Sequence, residues 1–249
     1  MARYQIILAY DGTDFEGYQR QKGRRTVQGV FEAALSRLGW EGGKVLSAGR
    51  TDSGVHAAGQ VIAFDLDWKH GIEALGEALN ALLPADAAVQ RVGEVRADFH
   101  PRYDARARTY RYQVYCHPLR NPIAERFAFR SASDLDVRRL QAAADCFMGT
   151  HDFSAFGAPM KTGGSTIRSI LKAEWQQDGN MRTFWIEANA FLYHMVRRLV
   201  YLQIQAALEK VTLDELRGGV EHASPLKPGI APSNGLMLWS VRYHDGMQE

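Results

Sequence analysis

The segment Gly49-Arg-Thr-Asp-Ser-Gly-Val-His56 sets one carboxylate, Asp52, two residues from one guanidinium, Arg50, with the hydroxyls of Thr51 and Ser53 beside it. A single carboxylate kept ionised by a neighbouring cation can act as a nucleophile or as a base. Sugar hydrolysis would need a second carboxylate roughly 5 to 9 Å away, and this segment supplies only Asp52. Asp-Ser-Gly is also ordinary turn chemistry, so the triplet gains meaning only from the rest of the chain.

Apolar residues flank the segment from Leu46 to Phe64, and Gly49, Gly54 and Gly59 punctuate it. The pattern predicts strand, polar elbow, strand, with the elbow presenting Arg50 to Ser53 together. Before it, Tyr4 to Tyr10 reads as a strand and Asp11-Gly-Thr-Asp14 as a turn. The loop Tyr18-Gln-Arg-Gln-Lys-Gly-Arg-Arg25 combines an aromatic ring with Arg20, Lys22, Arg24 and Arg25, a composition suited to tracking phosphates beside a stacked base. Thr26 is placed to cap a helix running to Leu38 and stopped by Gly39, with Val27, Val30, Phe31, Ala34, Leu35 and Leu38 on one face. A second helix, Ile72 to Leu83, ends at Pro84, and Ala88 to Val95 reads as a strand. The order β, α, β, β, α, β is that of a ferredoxin-like unit.

A basic linker from Arg96 to Arg108 leads into the strand Thr109 to Tyr115, where Tyr110, Tyr112 and Val114 share one face. Aromatic rings beside arginines are what unpaired RNA uses for stacking and charge neutralisation. Beyond it the pattern predicts a helix from Asp136 to Met148 and two strands, Ile167 to Gln176 and Arg182 to Ala190, joined by a turn. A long helix from Tyr193 to Glu209, a short one capped by Thr212 with Glu215, and a closing strand from Leu236 to Tyr243 complete the chain. The long helix is apolar almost all round yet carries Arg197 and Arg198. Tyr193, Val200, Tyr201 and Ile204 surround Arg197 at helical spacing, which predicts that Arg197 is the more buried of the two; its guanidinium then either pairs with a carboxylate, for which Asp52 is the expected partner, or snorkels to solvent.

The chain has 249 residues, 46% of them hydrophobic, with a formal net charge of +2. That length suffices for one large domain or two small ones, and the charge total selects no partner class. No apolar run nears the roughly 20 residues of a membrane span, and no secretory leader precedes the first strand, so a cytoplasmic location is expected. Cys116 and Cys146 stand far apart without metal-ligand spacing, so neither a disulfide framework nor a metal site is expected.

Gly49-Arg-Thr-Asp-Ser-Gly-Val-His56, Tyr10-Asp-Gly-Thr-Asp-Phe15 with Gln19-Arg-Gln21, Ala105-Arg-Ala-Arg-Thr-Tyr-Arg-Tyr112, Phe191-Leu-Tyr-His-Met-Val-Arg197 and Ala231-Pro-Ser-Asn-Gly-Leu236 together closely resemble the tRNA pseudouridine synthase A (TruA) family. The resemblance spans nearly the whole chain in the family's order. It implies an α+β pseudouridine synthase fold: two ferredoxin-like (RRM-like) halves, 1–104 and 105–249, joined into one antiparallel sheet with helices on one face and a central RNA-binding cleft. It implies cofactor-free isomerisation of uridine to pseudouridine in the anticodon stem-loop, at tRNA positions 38 to 40, by a homodimer. By motif, Asp52 is the catalytic aspartate with Arg50 and Arg197 in support, Tyr110 stacks on the target base and Leu236 lines the pocket. Arg20, Gln21, His56, Arg106 and Arg108 fall among the substrate-binding positions. The chain departs from the family pattern at Arg198 and Tyr201, where the family has Asn and Gly, and at Tyr18, where Trp is usual. The alternative within RNA biology is a binding module or tRNA chaperone of the same fold that has lost turnover.

Overall fold

The computed structural model describes residues 1–243, so residues 244–249 of the expected second half lie outside the described residues. The elements in chain order are β1 (Ala2–Tyr10), α1 (Val27–Arg37), β2 (Leu46–Ser47), β3 (His56–Leu66), α2 (Ile72–Leu82), β4 (Ala87–Val95), β5 (Ala107–Cys116), β6 (Phe129–Ser131), α3 (Val137–Asp145), β7 (Gly149–Asp152), β8 (Ile167–Asp178), β9 (Met181–Ala188), α4 (Met195–Ala207), α5 (Leu213–His222) and β10 (Leu236–Arg242). They fall into two compact units, one of Met1–Arg106 with the chain from Met237 onward, the other of Ala107–Leu236.

The first unit is ferredoxin-like in order. β1 lies between β4 and β3, antiparallel to both, and β2 adds to β3 through Leu46 opposite Ala63 and Ser47 opposite Ile62. Alternation along β1 buries Tyr4, Ile6, Leu8 and Tyr10. Phe64, which pairs with Tyr4, receives Phe31 of α1 edge to face at 5.6 Å, so the helix packs on that side. Thr26 caps α1 by accepting from the Gly29 N–H, and Gly39 takes a positive φ of 89° just beyond its end. β2 is only two residues long, and the beginning of β3 is paired instead with β10, in parallel, through Met237 opposite His56 and Leu238 opposite Ala57. A Cβ at Gly59 would lie 2.3 Å from the Trp239 carbonyl oxygen, so only glycine admits β10 this close. The closing strand expected in the second half is therefore part of the first.

The second unit has the strand order β5-β9-β8-β7, antiparallel throughout, with β6 added in parallel to β5. Tyr112, Val114, Phe184, Ile186 and Ala188 form its core, with Trp175 stacked on Phe184 at 5.0 Å. β7 covers β8 only from Ile167 to Ile170. Further along, the Gln141 amide of α3 accepts from the Trp175 N–H at 2.8 Å and donates to the Ala173 carbonyl at 3.0 Å, closing the open edge. The Trp175 indole donates to the Gln203 amide of α4 at 2.6 Å. The expected helix from Tyr193 starts two residues later, because His194 adopts a left-handed conformation with φ 62°. β6 and β7, three and four residues long, are too short to leave a periodic signal and have no counterpart in the sequence reading.

Candidate active site

Asp52 sits half-buried on the loop between β2 and β3, and the chain from Gly12 to Tyr18 grips that loop from one side. The Tyr18 N–H donates to the Thr51 carbonyl at 3.0 Å, and the Gly54 N–H to the Phe15 carbonyl at 3.2 Å, where the Ser53 hydroxyl also donates at 3.3 Å. Val55 N–H closes a turn onto the Asp52 carbonyl at 3.2 Å, with Gly54 at φ 76°. A Cβ on Gly12 would fall 2.1 Å from the Val55 carbonyl oxygen, which fixes glycine there. The loop backbone on both sides of Asp52 is thus held by bonds to residues more than thirty positions earlier in the sequence.

Arg50, next but one to Asp52, is exposed. His56 is buried at the head of β3, its Nδ1 3.0 Å from the Gly12 N–H and 3.1 Å from the Asp11 carboxylate. It ties the Asp11–Gly12 turn to the sheet.

The basic loop differs from its expectation. Tyr18 is only 2% exposed and burial pushes its phenol pKa up, so it is a core residue and not a surface for stacking. The Tyr18 N–H bond to Thr51 anchors this residue against the loop, a long-range constraint that composition does not reveal. Arg20 pairs with Glu32 at 2.9 Å, and Arg24 pairs with Glu16. Arg25 grips Asp86 through two bonds of 2.8 and 2.9 Å and lies over the Phe15 ring at 4.1 Å. Much of the loop's charge is therefore already met by carboxylates. Gln21 and Lys22 are exposed, and the Gln21 amide donates weakly to the Glu16 carbonyl at 3.4 Å. Arg106 is exposed, its backbone N–H bonded to the Arg242 carbonyl at 2.8 Å.

The second unit holds the other expected residues. Tyr110 is half-buried on β5, whereas Tyr112, on the same face, is fully buried and donates its hydroxyl to the Pro232 carbonyl at 2.9 Å. Of these two tyrosines only Tyr110 retains solvent exposure. Arg108 donates to the Asn189 carbonyl at 2.9 Å. Leu236 is buried at the start of β10, following a turn in which a Cβ on Gly235 would meet the Tyr112 ring at 2.7 Å. The Arg197 side chain donates from Nε to the Ala231 carbonyl at 2.7 Å, and its backbone carbonyl accepts from the Ala231 N–H at 3.0 Å.

The expected contrast between Arg197 and Arg198 is not observed: both are half-buried. Arg198 donates to the carbonyls of Leu226, Lys227 and Gly229, and burial pulls its pKa below the usual guanidinium range. The segment that closes over it is about thirty residues away in sequence, beyond the reach of helical spacing. Gly229 is held by the same packing, since its Cβ would meet the Tyr201 ring at 2.5 Å.

Two further residues, Tyr10 and Gln60, are buried beside the Asp52 loop, and the sequence reading gave neither of them a role at the site. The available signal was a glutamine inside the otherwise apolar run of β3.

A family model for tRNA pseudouridine synthases matches residues 6–104 and 143–244. Proteins named tRNA pseudouridine synthase A from Chloroflexus aurantiacus and Geobacillus kaustophilus are 38% and 39% identical, covering 99% and 98% of this chain and 91% and 95% of their own. That of Bacillus subtilis is 38% identical over 97% of this chain and 99% of its own. This chain belongs to the tRNA pseudouridine synthase A family. A solved archaeal box H/ACA sRNP Nop10-Cbf5 complex aligns at TM-score 0.41 and 14% identity over 86% of this chain and 52% of that one, too loosely to bear on function.

Membership of the tRNA pseudouridine synthase A family makes the chain a member of an isomerase family with the pseudouridine synthase fold. Among the described residues no helix is long and apolar enough to cross a membrane, and no group of three His, Cys, Asp or Glu residues is arranged to hold a metal ion.

Proposed function

We propose that this chain isomerises uridine to pseudouridine in the anticodon stem-loop of tRNA, at positions 38 to 40, with Asp52 as the reacting carboxylate. The observation that carries the assignment of Asp52 is the loop that bears it, pinned by backbone bonds to Phe15 and Tyr18 and closed by its own turn. Such pinning holds a reactive group in place without reorganisation at the moment of reaction. Family membership supports the substrate and the reaction.

The reaction breaks the bond from N1 of uracil to C1′ of ribose and makes one from C5 to C1′. The C5 hydrogen leaves as a proton and N1 gains one, so atoms balance without an oxidant or a cofactor. Asp52 either attacks C1′ or removes a sugar proton; both routes need it ionised. Arg50 and Arg197 are the cations that support it, and Tyr110 stacks on the everted base, offsetting part of the few kcal/mol lost on unstacking. Leu236 supplies apolar lining. Uracil departs as a stabilised anion, so a strong general acid is unnecessary.

Arg20, Gln21, His56, Arg106 and Arg108 belong to the proposed tRNA-binding set, with His56 acting from its buried position by shaping the Asp11–Gly12 turn. The family resemblance also supports a homodimer in the cytoplasm, which light scattering and fractionation would test. The functional reading is tested with unmodified tRNAs that differ only at positions 38 to 40. Pseudouridine should form in a tRNA with uridine there and not in one with cytidine at all three; equal formation elsewhere would contradict it.

A further inference from the structure

Beside the Asp52 loop lies a buried polar cluster that takes no part in bond making. Gln60, fully buried within β3, donates from Nε2 to the Gly49 carbonyl at 3.0 Å. Tyr10, 4% exposed at the end of β1, has its hydroxyl 2.8 Å from Thr51 Oγ1. Two of the three residues before Asp52 are therefore held by side chains from two different strands. Those strands pair with one another, Leu8 opposite Gln60 and, past a register shift, Tyr10 opposite Ala57, so both anchors belong to one antiparallel ladder.

The cluster is an expensive way to fill this space. A buried amide or phenol carries a desolvation cost that an apolar side chain of the same volume avoids, and replacing paired polar groups by such residues is often neutral or stabilising. Gln60 Oε1 is buried short of full hydrogen-bond geometry, which adds to that cost. Thr51 and Gln60 both favour ionisation of the Tyr10 phenol, yet burial still pushes its pKa up to about 12, so the hydroxyl remains a neutral donor and acceptor at physiological pH. What the polar atoms add over apolar ones is direction, since they fix the Gly49 carbonyl and the Thr51 side chain immediately before Asp52.

We propose that Tyr10 and Gln60 are positioning residues for the isomerisation, fixing the backbone of Gly49 to Thr51 and through it the aim of the Asp52 carboxylate. This inference rests on the reading of Asp52 as the reacting group.

The test compares Tyr10→Phe, Gln60→Met, Thr51→Val, Thr51→Ser and Asp52→Ala, measuring thermal midpoint, KM for tRNA and kcat. The expected result is a kcat lowered about ten- to a hundredfold in Tyr10→Phe, Gln60→Met and Thr51→Val, with KM within about twofold of wild type, the loss that a misaimed group of this size brings. Thr51→Ser, which keeps the hydroxyl, should restore most of kcat. Should one variant fail to fold, the contrast of Thr51→Val with Thr51→Ser alone decides. Wild-type kcat in folded Tyr10→Phe, Gln60→Met and Thr51→Val, alongside an inactive Asp52→Ala, would overturn this inference and leave the role of Asp52 standing. Turnover by Asp52→Ala would overturn both.

Discussion

The ring of Tyr110 meets Phe191 edge to face, with centroids 5.2 Å apart and planes at 90°. The contact fixes one edge of a half-buried tyrosine by means of a residue in the approach to α4, six positions before Arg197.

If that ring stacks on a base, its face matters more than its hydroxyl. Tyr110→Phe is expected to keep most of the wild-type kcat/KM, whereas Tyr110→Ala should lose about ten- to a hundredfold, the equivalent of roughly 1 to 3 kcal/mol of base stacking. Phe191→Ala should fall between them. Steady-state kinetics on one tRNA separate the three, and equal losses in Tyr110→Phe and Tyr110→Ala would exclude stacking as the ring's role.

Binding of tRNA should weaken steeply with salt, but not through Arg25. That side chain is committed to Asp86 and to the Phe15 face, and both partners belong to the protein. Arg25→Ala is expected to cost about 1 kcal/mol of stability, discounted for its exposure, and to leave the salt slope of tRNA affinity unchanged. Denaturant melts and filter binding at several salt concentrations measure the two effects. A slope lowered by about one would instead make Arg25 a phosphate contact.

Local chemistry in this chain was legible from sequence. The Thr26 cap, the stop at Gly39, the capping box of Thr212 with Glu215 and the strand, elbow, strand around Asp52 depend on near neighbours, and all are present. What could not be read was set by distant contacts. The inward Tyr18 follows from its bond to Thr51, the commitment of Arg198 from carbonyls in 226–229, and the place of β10 from the edge that β2 leaves open on β3. A basic loop looks the same in sequence whether its cations face phosphate or, as with Arg20, Arg24 and Arg25, face Glu32, Glu16 and Asp86.

Three buried tyrosines make the fold sensitive to alkali. Burial raises the phenol pKa of Tyr10, Tyr18 and Tyr112 above the ordinary 10.0, that of Tyr10 to about 12. The folded protein then holds these protons more tightly than the unfolded chain. Their contribution is complete below pH 10 and is lost as pH rises beyond it toward the folded values. Denaturant midpoints should fall progressively above pH 10, and less steeply in Tyr10→Phe. A flat profile would contradict the burial of these hydroxyls.

Thr212→Ala removes the side-chain half of the capping box on α5, in which the Thr212 hydroxyl accepts from the Glu215 N–H at 3.2 Å, and keeps the backbone N–H of residue 212 that donates to the Glu215 carboxylate at 2.6 Å. About 1 kcal/mol of stability should be lost with kcat unchanged. Thermal melts and kinetics on the same preparation check this, and a lowered kcat would tie α5 to the reaction.

The role of Asp52 is most directly measured with tRNA carrying tritium at C5 of its uridines, since moving the glycosidic bond to C5 releases that hydrogen to water. Wild-type protein should release tritium while Asp52→Ala releases none, with tRNA affinity within about threefold of wild type, as expected of the proposed role in which the carboxylate acts on the sugar and contributes little to binding. Release by Asp52→Ala at the wild-type rate would contradict the account.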